Sequence, residues 1–363
     1  MSTAPAETLA TPLTKLLRIK YPILLAGMGA VSGPELAAAV TKAGGLGVMG
    51  GIRWSPEALK SAIKKLKEEL NDENAAFGVD LLLPAIGGSA RKTNYDYTKG
   101  QLPALVDIMI EEKCRLFVCA VGVPPKWVVD KLHAAGILVM NMVGAPKHAL
   151  KALAVGVDAI CAQGGEAGGH TGDIATAILV PAVVNVCRGK KSPLTGQQVS
   201  VVAAGGIYDG RGLAMALCMG AEAVWVGTRF VAAAEANSSP RHKRAIVQGD
   251  YTDTVRTLIF SGRPMRVIKT PYIENWEVNR QPDIAGLTSK GLIPYEWEMD
   301  EKQKKGEEVS TEVVIQSTRM LAGQVIGAID SVKPAAEIVN EMVTDCVSAL
   351  RTAGSKIVPV PKL

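Results

Sequence analysis

Aromatic side chains are scarce in this sequence, at 4% of 363 residues, and nowhere do they alternate with lysine and arginine. That excludes the stacking-plus-charge surface that grips single-stranded nucleic acid. The net charge of +5 is spread along the chain, and the densest basic run, Arg188-Gly189-Lys190-Lys191, reads as a solvated loop. No nucleic-acid partner is expected, although a mild positive field favours anionic ligands. The six cysteines form no CxxC pair and show no metal-ligand spacing. They read as buried free thiols in a reducing compartment, and no metal is expected. No apolar run reaches the length of a membrane span, so no membrane partner is expected. The first twenty residues lack the apolar core of a secretory signal. The cytoplasm is the expected location. The final Pro361-Lys362-Leu363 differs from the Ser-Lys-Leu peroxisomal address at one residue, which makes the peroxisome the alternative.

Glycine, in contrast, is abundant, with 37 residues. Many glycines beside few aromatics suit tight strand–helix turns and backbone that approaches a ligand closely. Short apolar runs alternate with helix-period stretches over the first 235 residues. The runs are Tyr21–Ala26, Gly45–Met49, Ala76–Leu82, Leu116–Ala120, Leu138–Val143, Ala159–Gln163, Val199–Ala204 and Ala223–Val226. Helices are predicted over Gly33–Lys42, Ser55–Leu70, Leu102–Glu112, Pro125–Ala135, Lys147–Val155, Ala175–Cys187 and Gly210–Met219. The helix after the eighth strand is not evident. Eight strand–helix units predict an α/β fold, a (β/α)8 barrel of the TIM type with C-terminal additions, with an open doubly wound sheet as the alternative. The expected organisation is a barrel over residues 1–245 and an extension over 246–363. In the extension, residues 250–310 read as irregular or short helical segments capping or wrapping the barrel. Thr311–Arg351 reads as helical. Gly87–Gly100 reads as a loop over one barrel end.

The richest chemical segment follows the sixth strand and runs from Ala162 to Gly172 (AQGGEAGGHTG). In a barrel this loop lies at the C-terminal face, where active sites sit. Its five glycines suggest backbone passing close to something flat or bulky. Of the four histidines only His170 has such a setting, and it suits acid–base or electrostatic work near neutral pH. A plain loop-capping role is the alternative. Glu166 either orients the loop or faces solvent. Gly205-Gly206 ends the seventh strand and Gly227-Thr228 the eighth, the usual barrel device for a phosphate, with plain tight turns as the alternative. Ala26-Gly27-Met28-Gly29 imitates a dinucleotide fingerprint, but Ser32 stands where its third glycine belongs. Met28 reads as an apolar wall against a planar ring, or as core.

Together these pieces resemble the nitronate monooxygenase family. The resemblance rests on Tyr21-Pro22-Ile23 leading to Gly27-Met28, on Gly44-Gly45-Leu46-Gly47 and on Phe77-Gly78-Val79. It continues through Gln163–Gly172, Ala203–Gly206 and Gly227-Thr228-Arg229-Phe230. Ser261-Gly262-Arg263 and Ala322-Gly323-Gln324 look like later family elements. The resemblance implies an FMN cofactor with its phosphate on Gly205, Gly206, Gly227 and Thr228. Its ring would lie near Ala26, Gly27, Met28, Asp80 and Gln163, with Gly168 and Gly169 beside it. His170 would be the catalytic base, and nitroalkanes or nitronates would react with O2 to give a carbonyl compound and nitrite. Two departures stand out. Asp80 replaces the family's usual Asn, and Thr171 follows His170 where relatives often carry Arg. The same loop occurs in flavin enoyl reductases and NADH:quinone reductases, so the alternative is an NAD(P)H-dependent reductase of a quinone or enoyl thioester.

Overall fold

The computed structural model describes residue 5 and residues 7–359. The Pro361-Lys362-Leu363 tail therefore lies outside the described residues. Nine strands are formed before residue 230: β1 (Ile23–Leu25), β2 (Val48–Gly50), β3 (Gly78–Leu82), β4 (Leu116–Ala120), β5 (Leu138–Val143), β6 (Ala159–Gln163), β7 (Gly169–His170), β8 (Ser200–Ala204) and β9 (Ala223–Val226). All but β7 join one parallel sheet in the order β1-β9-β8-β6-β5-β4-β3-β2. A parallel bridge between Leu24 and Leu46 brings its two edges together, so the sheet closes as a barrel. The eight barrel strands are those expected from the sequence, shortened by one to three residues at some ends, with β2 running one residue further, to Gly50.

Helices α2 (Pro34–Lys42), α3 (Pro56–Leu70), α4 (Leu102–Glu111), α5 (Lys126–Ala134), α6 (Pro146–Ala154), α7 (Thr176–Cys187) and α8 (Gly210–Cys218) follow successive barrel strands. Proline opens α2, α3 and α6, where its missing N–H costs nothing. Inward and outward side chains alternate along the strands and build two apolar layers. Leu24, Val48, Leu116, Val118, Met140, Cys161, Val202 and Trp225 fill the barrel. Leu25, Phe77, Phe117, Val139, Ile160 and Val224 meet the helices. A short helix the sequence reading did not anticipate, α1 (Pro12–Leu17), adds Leu13 and Leu17 to the inner layer. The half-buried Glu222 accepts from the Leu13 N–H at 3.0 Å, tying the start of α1 to the barrel.

After β9 the chain makes a long excursion. It passes through α9 (Thr228–Val231) and α10 (Pro240–Val247) into a hairpin of β10 (Thr254–Thr257) and β11 (Met265–Ile268). Helices α11 (Pro271–Asn279), α12 (Gln281–Ser289), α13 (Pro294–Lys304) and α14 (Thr311–Gln316) follow. The final helix, α15 (Ala335–Gly354), packs against α8 and α2 and takes the place of the eighth barrel helix. Its Ile338, Val339, Met342, Val343 and Cys346 enter the outer core. The expected boundary at 245/246 falls inside α10. We propose that the chain beyond β9 is one excursion that ends by completing the barrel. Two expectations are corrected. Residues 254–268 are an ordered hairpin, not irregular chain. Thr311–Arg351 is two helices separated by extended and 3-10 backbone, because Met320, Ala322 and Val325 are drawn into a small core with Val231 and Ile246.

The α8–α15 contact is close enough to require glycine. A Cβ on Gly210 would stand 2.4 Å from both the Asp345 Cβ and the Cys346 N, and 2.6 Å from the Met342 O. Gly210→Ala must push α15 away and is expected to cost about 1–3 kcal/mol in urea unfolding. Gly354→Ala, at an open position on the same helix, is the control, and an equal loss there would refute the close-packing account.

Candidate functional site

The carboxyl ends of β1, β3, β6, β8 and β9 converge on one face of the barrel. Gln163 pairs with Ala204, Ala204 with Trp225, and Leu25 with Val226. The register therefore sets Gly206 beside Gly227, with Ala26 and Gly27 next along. A Cβ on Gly227 would stand 3.5 Å from the Ala26 Cβ and 3.6 Å from the Met28 Sδ. Asp80 approaches the same face from β3, its carboxyl against Gly27.

His170 is held by more than its loop. Gly169 and His170 form β7 and pair antiparallel with Arg266 and Met265 of β11. The Gln163 Nε2 donates to the His170 carbonyl at 2.6 Å, and the Thr171 N–H donates to the Pro264 carbonyl at 3.2 Å. The imidazole Nε2 lies 3.0 Å from the Ser261 Oγ. Burial lowers the His170 pKa to about 4, with Arg263 and Arg319 adding to the effect. The ring is therefore neutral at physiological pH, and its surroundings are positive.

The glycines around His170 have a cause the sequence reading missed. A Cβ on Gly168 would stand 2.6 Å from the Ala322 carbonyl carbon, and one on Gly164 would stand 2.0 Å from the Thr176 Oγ1. Close packing of protein on protein accounts for these two, so they are not by themselves a mark of a ligand. Glu166 is also settled: both its oxygens accept from the Thr176 N–H, and Oε2 accepts from the Thr176 hydroxyl at 2.8 Å. It orients the loop at the start of α7. The segment Ala322–Gln324 lies over the loop. The Gln324 N–H donates to the Glu166 carbonyl at 2.9 Å, and the Gly323 N–H donates to the Thr228 Oγ at the same distance.

Gly205 and Gly206 both take positive φ, +97° and +71°, which only glycine adopts freely. Among the described residues, the N–H groups of Gly205, Gly206 and Gly227 meet no protein acceptor. Adjacent unengaged donors at strand ends fit an anion. The Thr228 hydroxyl, used as an acceptor by Gly323, still has its proton to donate. These residues fit a phosphate. Asp80, whose buried Oδ1 meets no partner, marks the opposite part of the same face. Sequence reasoning gave no role to Ser261, Arg263 or Arg319. The only signal was the Ser261-Gly262-Arg263 motif, and its link to His170 exists only in the folded chain.

The geometry defines a barrel enzyme whose polar groups converge at the C-terminal face. Comparison with known proteins narrows it. A sequence model of the nitronate monooxygenase family matches residues 10–345. The chain is 32% identical to the (3aS,4S,5R,7aS)-5-hydroxy-7a-methyl-1-oxo-octahydro-1H-indene-4-carboxyl-CoA dehydrogenase of Mycobacterium tuberculosis, over 96% of this chain and 99% of the relative. It is 33% identical to a Staphylococcus saprophyticus protein named "probable nitronate monooxygenase", over 73% and 80% of the two chains. The solved structure of FabK from Thermotoga maritima superposes with a TM-score of 0.77 at 31% identity, covering 96% of this chain and all of that one. The chain belongs to the nitronate monooxygenase family and is a flavin-dependent oxidoreductase.

The depressed His170 pKa has two consequences. NMR titration of the histidine rings should place its ionisation near pH 4, and an inflection near 6.5 would contradict the burial described. The unfolded chain binds this proton more readily than the folded one. The contribution to stability is thus complete above about pH 6.5 and is lost as pH falls through about 4. His170→Asn should flatten that part of the acid-unfolding profile.

Proposed function

We propose that the cofactor is FMN and that the enzyme oxidises alkyl nitronates or nitroalkanes with O2 to a carbonyl compound and nitrite. One observation carries the reading: a neutral imidazole, fixed by Ser261, shares a barrel face with the unengaged N–H groups of Gly205, Gly206 and Gly227. A single phosphate cradle with no dinucleotide fingerprint supports a mononucleotide. Gly205, Gly206, Gly227 and Thr228 would hold the phosphate. Ala26, Gly27, Met28, Asp80, Gln163, Gly168 and Gly169 would border the ring. When bound, FMN would supply the redox chemistry, taking electrons from substrate and passing them to oxygen.

The residues themselves divide the remaining work. The Ser261 Oγ lies 3.4 Å from the Arg263 carbonyl, an acceptor for its hydroxyl proton. On this reading the same oxygen would accept from the His170 Nε2–H and leave Nδ1 with the lone pair. Nδ1 would then be the atom that takes the α-proton of a nitroalkane. Arg263 and Arg319, close enough to depress the His170 pKa, would draw in the anion and offset the missing Arg at position 171.

A second reading has its own support. The relative aligned over nearly the whole chain is named as a CoA thioester dehydrogenase. A groove of about 510 Å³ lined by Arg91, Lys92 and Thr93 reaches Gly262, next to Ser261, and would accept a long anionic substrate. In that case the enzyme is an NAD(P)H-dependent reductase of an enoyl thioester or quinone.

Anaerobic mixing of the purified protein with a nitronate, and separately with NADH, decides between them by the flavin spectrum. Reduction by nitronate alone is expected; bleaching by NADH alone would favour the second reading. Denatured protein should release FMN, and FAD or no flavin would overturn the cofactor assignment. His170→Asn should retain flavin and lose at least about 10²-fold in kcat/KM on neutral nitroalkanes, with less effect on preformed nitronates. Unchanged rates would remove His170 from the role of base.

A further inference from the structure

One buried acid remains without a partner. Asp80 lies mid-strand in β3, in register with Gly50 of β2 and Val118 of β4. Strand alternation points it into the barrel, on the side of Val48, Val118 and Met140. It is 2% exposed, and its Oδ1 has no hydrogen-bond partner. No cation faces it. The neighbouring strands offer Gly27, Gly50, Val118 and Met140, and the titratable groups that feel its charge are the thiols of Cys119 and Cys161, both pushed upward by burial. Burial alone raises the Asp80 carboxyl to about 8.

The barrel makes room for this group. A Cβ on Gly27 would stand 2.3 Å from the Asp80 Oδ2 and 2.4 Å from the Asp80 Cβ. The chain thus forgoes a side chain at the end of β1, and the carboxyl rests against bare backbone at the mouth of the barrel. An apolar residue would fill the same space with no cost for a buried polar atom. A carboxyl kept there calls for a partner that arrives from outside the protein.

We propose that Asp80 is held as a neutral carboxylic acid and donates a hydrogen bond to an acceptor atom of the bound flavin ring, acting as a positioning residue that makes cofactor binding sensitive to pH. The inference rests on the flavin reading above. A neutral acid donates and its carboxylate does not. An amide at this position donates at every pH, so D80N separates donation from protonation.

The test is flavin release from the purified holoenzyme on dilution, followed by flavin fluorescence from about pH 7 to about pH 9. The wild-type Kd should rise towards about tenfold per pH unit once pH exceeds about 8, whereas D80N stays flat. Matching profiles in the two proteins overturn the inference and leave the flavin reading standing. Absence of flavin from both overturns the flavin reading and this inference with it. Should D80N fail to fold, infrared spectra of the wild type decide the matter. A neutral-acid carbonyl band present near pH 7 supports the proposal, and its absence there overturns it.

Discussion

The pairing of two residues, Gly169 and His170, with Met265 and Arg266 holds the site together. It joins a loop of the barrel to the excursion that follows the last barrel strand. So short a ladder is weak alone, and its surroundings sustain it. Met265 and Val267 are buried with Ile259, Phe260 and Trp276, so displacing β11 would expose a small core. The Arg266 guanidinium donates twice to the Gly165 carbonyl, at 3.1 and 2.9 Å, pinning the start of the histidine loop from the same strand. Through this pairing Ser261 reaches His170, and the bridge from Val267 to Leu321 brings the Ala322–Gln324 segment over the loop.

Desolvation then acts on two groups with opposite results. It lowers the pKa of His170 and raises that of Asp80, because burial penalises the charged form of each. The shifts bring the imidazole to about 4 and the carboxyl to about 8, each towards its neutral form. The positive charge that remains is that of Arg263 and Arg319, close to the imidazole. A neutral imidazole beside fixed cations is a setting that attracts an anion, while the same cations oppose charging of the ring itself.

Much of the barrel could be read directly from the chain. Its strands are continuous runs of Val, Ile, Leu and Ala, buried on both faces, and the glycines after them mark the turns. Four of the eight, Leu116–Ala120, Leu138–Val143, Ala159–Gln163 and Ala223–Val226, have the bounds expected. The β10–β11 hairpin was not legible. Its strands are four residues each and carry Arg256 and Arg266, so neither has a run long enough to register. The eighth barrel helix was missed for another reason. It lies about a hundred residues after its strand, and no local pattern records that α15 packs between α8 and α2. The glycines of the histidine loop were legible as unusual, but their packing against Thr176 and Ala322 was not.

The period of the elements, the positions of the glycine turns and the one histidine set among them follow from the order of residues alone, because they depend on local backbone sterics and on hydrophobic alternation. The pKa shifts of His170 and Asp80, the contact with Ser261 and the cover supplied by Ala322–Gln324 arise only on folding. These depend on how much water is excluded and on which distant backbone arrives: the Ser261–His170 and Gly323–Thr228 contacts join residues 91 and 95 positions apart in the chain.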